Sequence, residues 1–224
     1  MTPASAFPDV SISTERLVLR AYEEADIPAL VEMMNDDLVT AWTGVPRPYT
    51  EADAREFVTR VAPADRVQGR GLVLAVTEFL TQRLVGTVTL QRTDWRIRGT
   101  EAGYLTASWA RGEGYACESV LAVCRWLFAD QGFARVELRT AADNSASQQV
   151  AQKIGCVSEG VLRGAGLVRV RAEDDPAGGW TETRTDLLVW SLLPEDLDEN
   201  SGRGSGGGDA YDSYTDYSAY ADWR

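Results

Sequence analysis

Ala110-Arg111-Gly112-Glu113-Gly114-Tyr115-Ala116-Cys117-Glu118-Ser119 lies between a strand-like run at 101–107 and a run in which Val120, Leu121, Cys124, Leu127 and Phe128 recur at helical spacing. Two glycines two apart let the backbone approach a ligand with no Cβ in the way. The helix that follows aims its free N–H groups and positive dipole end at the same spot. The stretch therefore reads as a cradle for an anion such as a pyrophosphate, against the plain alternative that a strand-to-helix turn holds glycine for geometry alone. A dinucleotide-binding fingerprint fits poorly: it follows the first strand of a βαβ unit and is answered by an acidic ribose ligand about 20 residues on. Here the strand before the turn belongs to an antiparallel set, and Asp130 closes a helix. A P-loop is excluded because no Gly-Lys-Ser/Thr occurs.

Outward from the turn, alternation around Leu17 and Leu19 predicts a first strand at 14–21, preceded by an arm of little pattern at 1–13. Asp26 and Pro28 open a helix with Ile27, Leu30, Val31 and Met34 on one face. Thr50-Glu51-Ala52-Asp53 reads as a capping box for a second helix, to about residue 61. The loop between them, with Trp42, Pro46, Pro48 and Tyr49, has the composition of a substrate mouth or of a core cover. Runs at 72–77 and 84–90 form a hairpin, which the strand at 101–107 continues as a meander. A helix at 116–130 stops at Gly132, and a strand follows at 135–140. A helix capped by Asn144 stops at Gly155, and strands at 157–163 and 183–192 close the domain across an Asp/Pro/Gly-rich loop. The fold class is α/β with mostly antiparallel strands.

The chain of 224 residues has room for one domain, here 14–197. From 198 the composition turns to Gly, Ser, Asp and Tyr, with Tyr211, Tyr214, Tyr217, Tyr220 and Trp223 at a three-residue interval. This predicts a disordered acidic tail, 198–224, whose aromatic interval is either a weak interaction element or drift. No signal or membrane-spanning pattern is read, so a cytoplasmic location with no membrane partner is expected. Cys117, Cys124 and Cys156 are too few for a disulfide framework or a zinc site. Histidine is absent, which removes Ser-His and Cys-His pairs and the commonest general base, and no metal is expected. A net charge of −12 argues against nucleic-acid partners and permits a cationic substrate, unless it serves solubility alone.

Two ungapped stretches, from Glu101-Ala102-Gly103-Tyr104 through Glu118 and from Asn144-Ser145-Ala146-Ser147 through Gly155-Cys156 to Arg163, resemble the Gcn5-related N-acetyltransferase (GNAT) superfamily. The resemblance is to the branch of ribosomal-protein N-terminal acetylases, RimJ and RimL, and spans 14–194. It implies a mixed, mostly antiparallel seven-stranded sheet splayed between its fourth and fifth strands, with about four helices. It also implies acetyl-CoA as co-substrate, a primary amine as acceptor (a protein N-terminal α-amine or a small molecule such as an antibiotic), and a monomer or homodimer.

On that resemblance, the backbone of Arg111, Gly112, Glu113, Gly114, Tyr115 and Ala116 holds the CoA pyrophosphate, Thr106 and its strand pair with pantetheine, and Asn144 bonds CoA or a water. Glu101 becomes the candidate base for the amine proton, against an ordinary strand glutamate. The tyrosine with which many members protonate the leaving thiolate is replaced by Ala151, and Ser147 becomes the candidate donor, against a helix-surface serine. Cys117 as an acylated nucleophile is weighed and set aside for want of a histidine. The alternative of another class is a catalytically silent acyl-CoA-binding module, for which Ala151 is the best support.

Overall fold

The computed structural model describes residues 6–172 and 179–201. Its centre is a sheet in the order β1-β2-β3-β4-β5-β6-β8-β7. The strands are β1 (Ile12–Ser13), β2 (Leu17–Arg20), β3 (Leu72–Glu78), β4 (Leu84–Asp94), β5 (Gly99–Thr106), β6 (Arg135–Ala141), β7 (Val157–Arg171) and β8 (Trp180–Leu192). Every neighbouring pair is antiparallel except β5 and β6. β5 stays paired with β4 from Asp94↔Gly99 to Gly86↔Thr106, with a register shift between Gln91 and Asp94, and β6 with β8 from Val136↔Leu192 to Ala141↔Leu187. β5 and β6 themselves meet only at Gly99↔Arg135, Thr100↔Val136 and Glu101↔Glu137. Past that seam the two half-sheets diverge, which is the expected splay between the fourth and fifth predicted strands.

The helices form where local signals and an apolar stripe coincide. In α1 (Ile27–Met34), Leu30 and Met33 are fully buried. Asp26 precedes it as expected, but its carboxylate accepts from Glu23 N–H and pairs with Arg20 instead of capping the helix. The box at Thr50 is present: Asp53 N–H donates to Thr50 Oγ1 at 3.2 Å and Thr50 N–H to Asp53 at 2.8 Å. It opens α3 (Glu51–Glu56), which continues through a π turn at Phe57–Val61 into α4 (Ala62–Val67). Pro63 explains the turn, because a proline in a helix offers no N–H and crowds the carbonyl four residues back. The chain widens so that Ala62 N–H reaches Phe57 O. In α5 (Tyr115–Ala129), Val120, Val123, Cys124 and Leu127 are fully buried. α6 (Ser145–Lys153) is capped by Asn144, whose Oδ1 accepts from Ser147 N–H at 3.1 Å. No helix among the described residues is long and apolar enough to cross a membrane.

The structure departs from expectation in four places. The sheet has eight strands instead of seven, because Ile12 and Ser13 pair with Leu19 and Val18. The loop at 35–49 contains α2 (Asp37–Trp42), capped by Asp36 accepting from Leu38 and Val39 N–H. With α7 (Pro194–Ser201) and the joined α3 and α4, this raises the helical bodies above the four expected. The Asp/Pro/Gly-rich loop is mostly a ribbon, since β7 and β8 stay paired out to Arg171↔Trp180. Its apolar positions Leu167, Val168 and Val170 are broken up by Gly166, Arg169 and Arg171 and escape a search for continuous apolar runs. α7 runs four residues into the stretch read as tail, and 202–224 lie outside the described residues.

Residues 6–13 also do more than an arm requires. Phe7 is 2% exposed and packs on Trp95, Phe133 and Trp126 at centroid distances of 4.9, 5.9 and 6.5 Å. Its N–H donates to Arg66 O at 3.2 Å. Such an aromatic cluster joins the chain's start to α4, the β4–β5 connection and the end of α5. Phe7→Ala is therefore expected to cost about 3 kcal/mol or more of unfolding free energy. Equilibrium denaturation checks this, and a shift under about 0.5 kcal/mol, the size of an ordinary surface change, would return residues 6–13 to a dispensable arm.

Candidate active site

The divergence of β5 from β6 opens a cavity of about 530 Å³. Its floor is Ala102–Thr106 on one side and Leu138–Ala141 on the other. Asn144, Ser147, Val150 and Lys153 of the α6 segment and the turn before α5 form further walls. Leu38, Val39 and Trp42 from α2 and Thr43 just after it, with Leu167, Val168 and Leu187 from the ribbon, complete the enclosure. Of the residues expected at a site, Thr106, Arg111, Gly112, Gly114, Tyr115, Ala116, Asn144 and Ser147 line this one cavity. Glu101 and Glu113 do not.

The glycine turn is built by conformation. Gly112 and Gly114 have φ of 85° and 81°, a region that L side chains rarely adopt. A Cβ at Gly112 would meet nothing within 4 Å, so packing does not explain that glycine. Gly114 is the N-cap of α5 and contributes no side-chain cap. Glu118 N–H, donating to Gly114 O at 3.1 Å, closes the first turn. The N–H groups before it have no intrahelical acceptor.

Arg16 on the β2 side holds the turn in place. Its Nε donates to Glu118 Oε2 at 2.7 Å, its Nη1 to Glu113 O at 3.1 Å, and its guanidinium lies 4.8 Å from the Tyr115 ring centre. Burial pushes the Glu118 carboxyl up, but hydrogen bonds from Thr14 and Arg16 outweigh this and leave it below the usual carboxylate range. Glu113 thus serves the turn through its carbonyl. Arg111 gives its guanidinium to Asp36. Because the same carboxylate caps α2, this pair fastens α2 beside the turn.

Ser147 sits in the first turn of α6 with its Oγ 2.7 Å from the hydroxyl of Tyr104 on β5. That hydroxyl also lies 3.1 Å from Ser147 O. Burial, partly offset by the serine hydrogen bond, pushes the Tyr104 phenol up to about 12, so it carries its proton at neutral pH. Asn144 uses its side-chain oxygen as the helix cap, which leaves Nδ2 as the group it can offer. Ala151 is fully buried, outside the cavity wall. A phenol there would have to displace core, so its absence does not remove a cavity group. Cys117 lines the cavity, and burial pushes its thiol up against the opposing effect of Lys153, the wrong direction for an activated nucleophile.

Glu101 lies outside the cavity wall. Its register partner Glu137 closes the seam, so it lies just beneath the point where the cavity begins. It is 9% exposed and accepts from Gln91 Nε2 at 2.6 Å and Arg92 Nη1 at 2.9 Å, with Arg139 Nε at 3.3 Å. The strand alternation that points it to the expected face also places it among arginines. What reaches the cavity is Arg139, not the carboxylate. Tyr104, Arg139 and Lys153 escaped sequence reasoning. The polar alternation of Arg135, Glu137 and Arg139 along β6 was the available signal for the second.

Residues 16–157 match the Acetyltransferase (GNAT) domain family, and the chain belongs to that family. Among curated proteins it is similar to the uncharacterized N-acetyltransferase YoaA of Bacillus subtilis, 27% identical over 152 residues that cover 68% of this chain and 85% of the relative. Among solved structures it is similar to Mycobacterium smegmatis RimJ in complex with CoA-disulfide, with a TM-score of 0.70 and 20% identity, covering 84% of this chain and 90% of that one. The ribosomal-protein-S5-alanine acetyltransferase of Vibrio fischeri gives a TM-score of 0.67 at 18% identity, covering 84% and 99%. The protein is thus a GNAT acetyltransferase whose structural neighbours include ribosomal-protein acetyltransferases.

If the glycine turn receives the CoA pyrophosphate, Gly114→Glu should abolish CoA binding by putting bulk and negative charge at the helix N-terminus. Gly114→Asn, which tolerates positive φ, should fold normally and still bind more weakly. Calorimetric titration with CoA checks both. An unchanged affinity in folded Gly114→Glu would contradict the assignment.

Proposed function

We propose that this protein transfers the acetyl group of acetyl-CoA to a primary amine by direct attack within a ternary complex. The observation that carries the proposal is the edge of β5 toward β6, which past Glu101 has no strand partner among the described residues, beside the N-terminus of α5 with no side-chain cap. Pantetheine lies along residues 102–106 as an added strand, through Thr106 and its neighbours. The N–H groups of residues 111–116 bind the pyrophosphate. Lys153 lines the cavity, makes no ion pair among the described residues, and adds a cation on the cofactor side near Cys117. Asn144 offers Nδ2 to CoA or to a water.

In the reaction, the amine nitrogen forms a bond to the thioester carbonyl carbon. A backbone N–H of β5 stabilises the oxyanion, and the C–S bond then breaks. The amine must be neutral to attack, and with a lysine amine near 10.4 and a terminal amine near 8 a proton has to leave. Glu101 does not line the cavity, so water carries that proton and Glu101 acts through Arg139. The departing thiolate takes a proton from Ser147 Oγ. Tyr104 has one phenolic proton and two possible acceptors on Ser147. When it donates to Oγ, the serine proton is free for the sulfur; when it donates to the carbonyl, its oxygen can hold that proton back. Tyr104 therefore positions the donor.

The acceptor is a protein α-amine or a small-molecule amine, in line with the ribosomal-protein acetyltransferases among the neighbours. Acetyl-CoA consumption with a panel of amines tests the reading, and CoA binding without transfer to any amine would reject it.

Ser147→Ala should lower turnover by ~10²-fold when thiolate departure is limiting, a condition imposed by an acyl donor with a poorer leaving thiol. Tyr104→Phe should show a smaller defect that vanishes in the Ser147→Ala background, because both changes act on one proton transfer. Equal rates for Ser147→Ala and wild type with the poorer donor would leave water as the acid. Glu101→Gln should lower kcat/KM while keeping the acid limb of the pH profile, whereas loss of that limb would make Glu101 the base after all.

A further inference from the structure

The acid-rich composition suggests a cationic substrate, yet the cavity wall contains no Asp or Glu among the described residues and does contain Arg111, Arg139 and Lys153. Arg111 is committed to Asp36, and Lys153 lines the cavity with Cys117, where its charge acts against the burial that pushes that thiol up. Arg139 is left near the narrow end of the splay, two residues past the seam on β6.

The surroundings of Arg139 hold it in one orientation. Its Nε donates to Glu137 Oε1 at 2.7 Å and lies 3.3 Å from Glu101 Oε2. Neither Nη nitrogen donates a hydrogen bond among the described residues. Each flanking carboxylate is shared with a second arginine, Glu101 with Arg92 at 2.9 Å and Glu137 with Arg135 at 3.1 Å. Arg135 in turn pairs with Glu159. The result is an alternating chain, Arg92–Glu101–Arg139–Glu137–Arg135–Glu159, with equal numbers of each sign. It exerts little long-range field, but it fixes a planar two-pronged donor at the cavity. A guanidinium so presented matches the two oxygens of a carboxylate or a phosphate in a way a lone ammonium does not.

We propose that Arg139 binds an oxyanion carried by the acceptor itself, so that the preferred amine bears a carboxylate or phosphate a few bonds from the attacking nitrogen. This rests on the acetyltransferase reading above and narrows its substrate class. Glu101 and Glu137 are then positioning residues that aim the guanidinium.

Matched acceptors test it. Methionine is compared with methioninamide for the carboxylate, and O-phosphoethanolamine with ethanolamine for the phosphate, with kcat/KM referred to the neutral-amine fraction of each. The wild type should prefer the oxyanion-bearing member of at least one pair. Arg139→Met, which keeps much of the aliphatic stem, should lower that preference about tenfold or more, the usual scale for hydrogen bonds to a charged group. Arg139→Lys should recover it only in part, because the charge returns without the fork.

Calorimetry of the same acceptors on CoA-loaded protein reads the recognition without turnover. Failure of the transfer reaction is thereby kept apart from failure of this proposal: an affinity preference that depends on Arg139 would support the site even if no product formed. CoA affinity of each variant verifies that it has folded. A wild type that favours the uncharged member of both pairs, or a preference that survives Arg139→Met in both measurements, would overturn the assignment.

Discussion

The parallel pairing of β5 with β6 stops after Glu101↔Glu137, and the rest of the structure depends on that limit. β4 holds β5 on one side and β8 holds β6 on the other, so neither strand can follow its neighbour further. A row of β5 backbone groups that a continuous sheet would bury in hydrogen bonds is left for something else, and unpaired buried backbone is costly unless a partner arrives. An extended ligand would satisfy that demand. The same divergence brings Tyr104 and Ser147 within 2.7 Å across the gap and leaves Arg139 near its narrow end.

Ion pairs position the walls around this opening. Arg16 ties the first turn of α5 to β2, and Arg111 ties that turn to the cap of α2 through Asp36. Across the mouth, Arg171 pairs with Asp37 at 2.6 Å and Arg169 donates to Val45 O at 2.6 Å, holding the β7–β8 ribbon against α2. Taken singly, exposed pairs of this kind contribute little stability. Together they fix where four separate pieces of chain stand around one cavity. The negative charge of the protein therefore says little about its site, because the acidic side chains nearest the cavity face arginines.

What was legible in the residues was local. The Thr50 box, the Asn144 cap and the positive-φ glycines at 112 and 114 act over a few residues, and each was found where a capping or turn rule puts it. The splay was legible through the resemblance of two ungapped stretches. The missed features join distant parts of the chain: Tyr104 and Ser147 are 43 apart in sequence, and Arg16 and Glu118 are 102 apart. The setting of Glu101 was hidden for a related reason. Alternation gives the face of a strand but not the arginines that β4 and β6 bring to it. Phe7 had no periodic company, and only Trp95, Trp126 and Phe133 from three other segments give it a place.

Amide hydrogen exchange with and without CoA tests the central claim most directly, because it reads the backbone groups that the splay leaves unpaired. The account predicts that CoA slows exchange within residues 102–106 and 111–117 and leaves the outer pairing of β7 with β8 as it was. Tight CoA binding with no added protection at 102–106 would contradict it, for the cofactor would then lie somewhere other than along the open edge of β5.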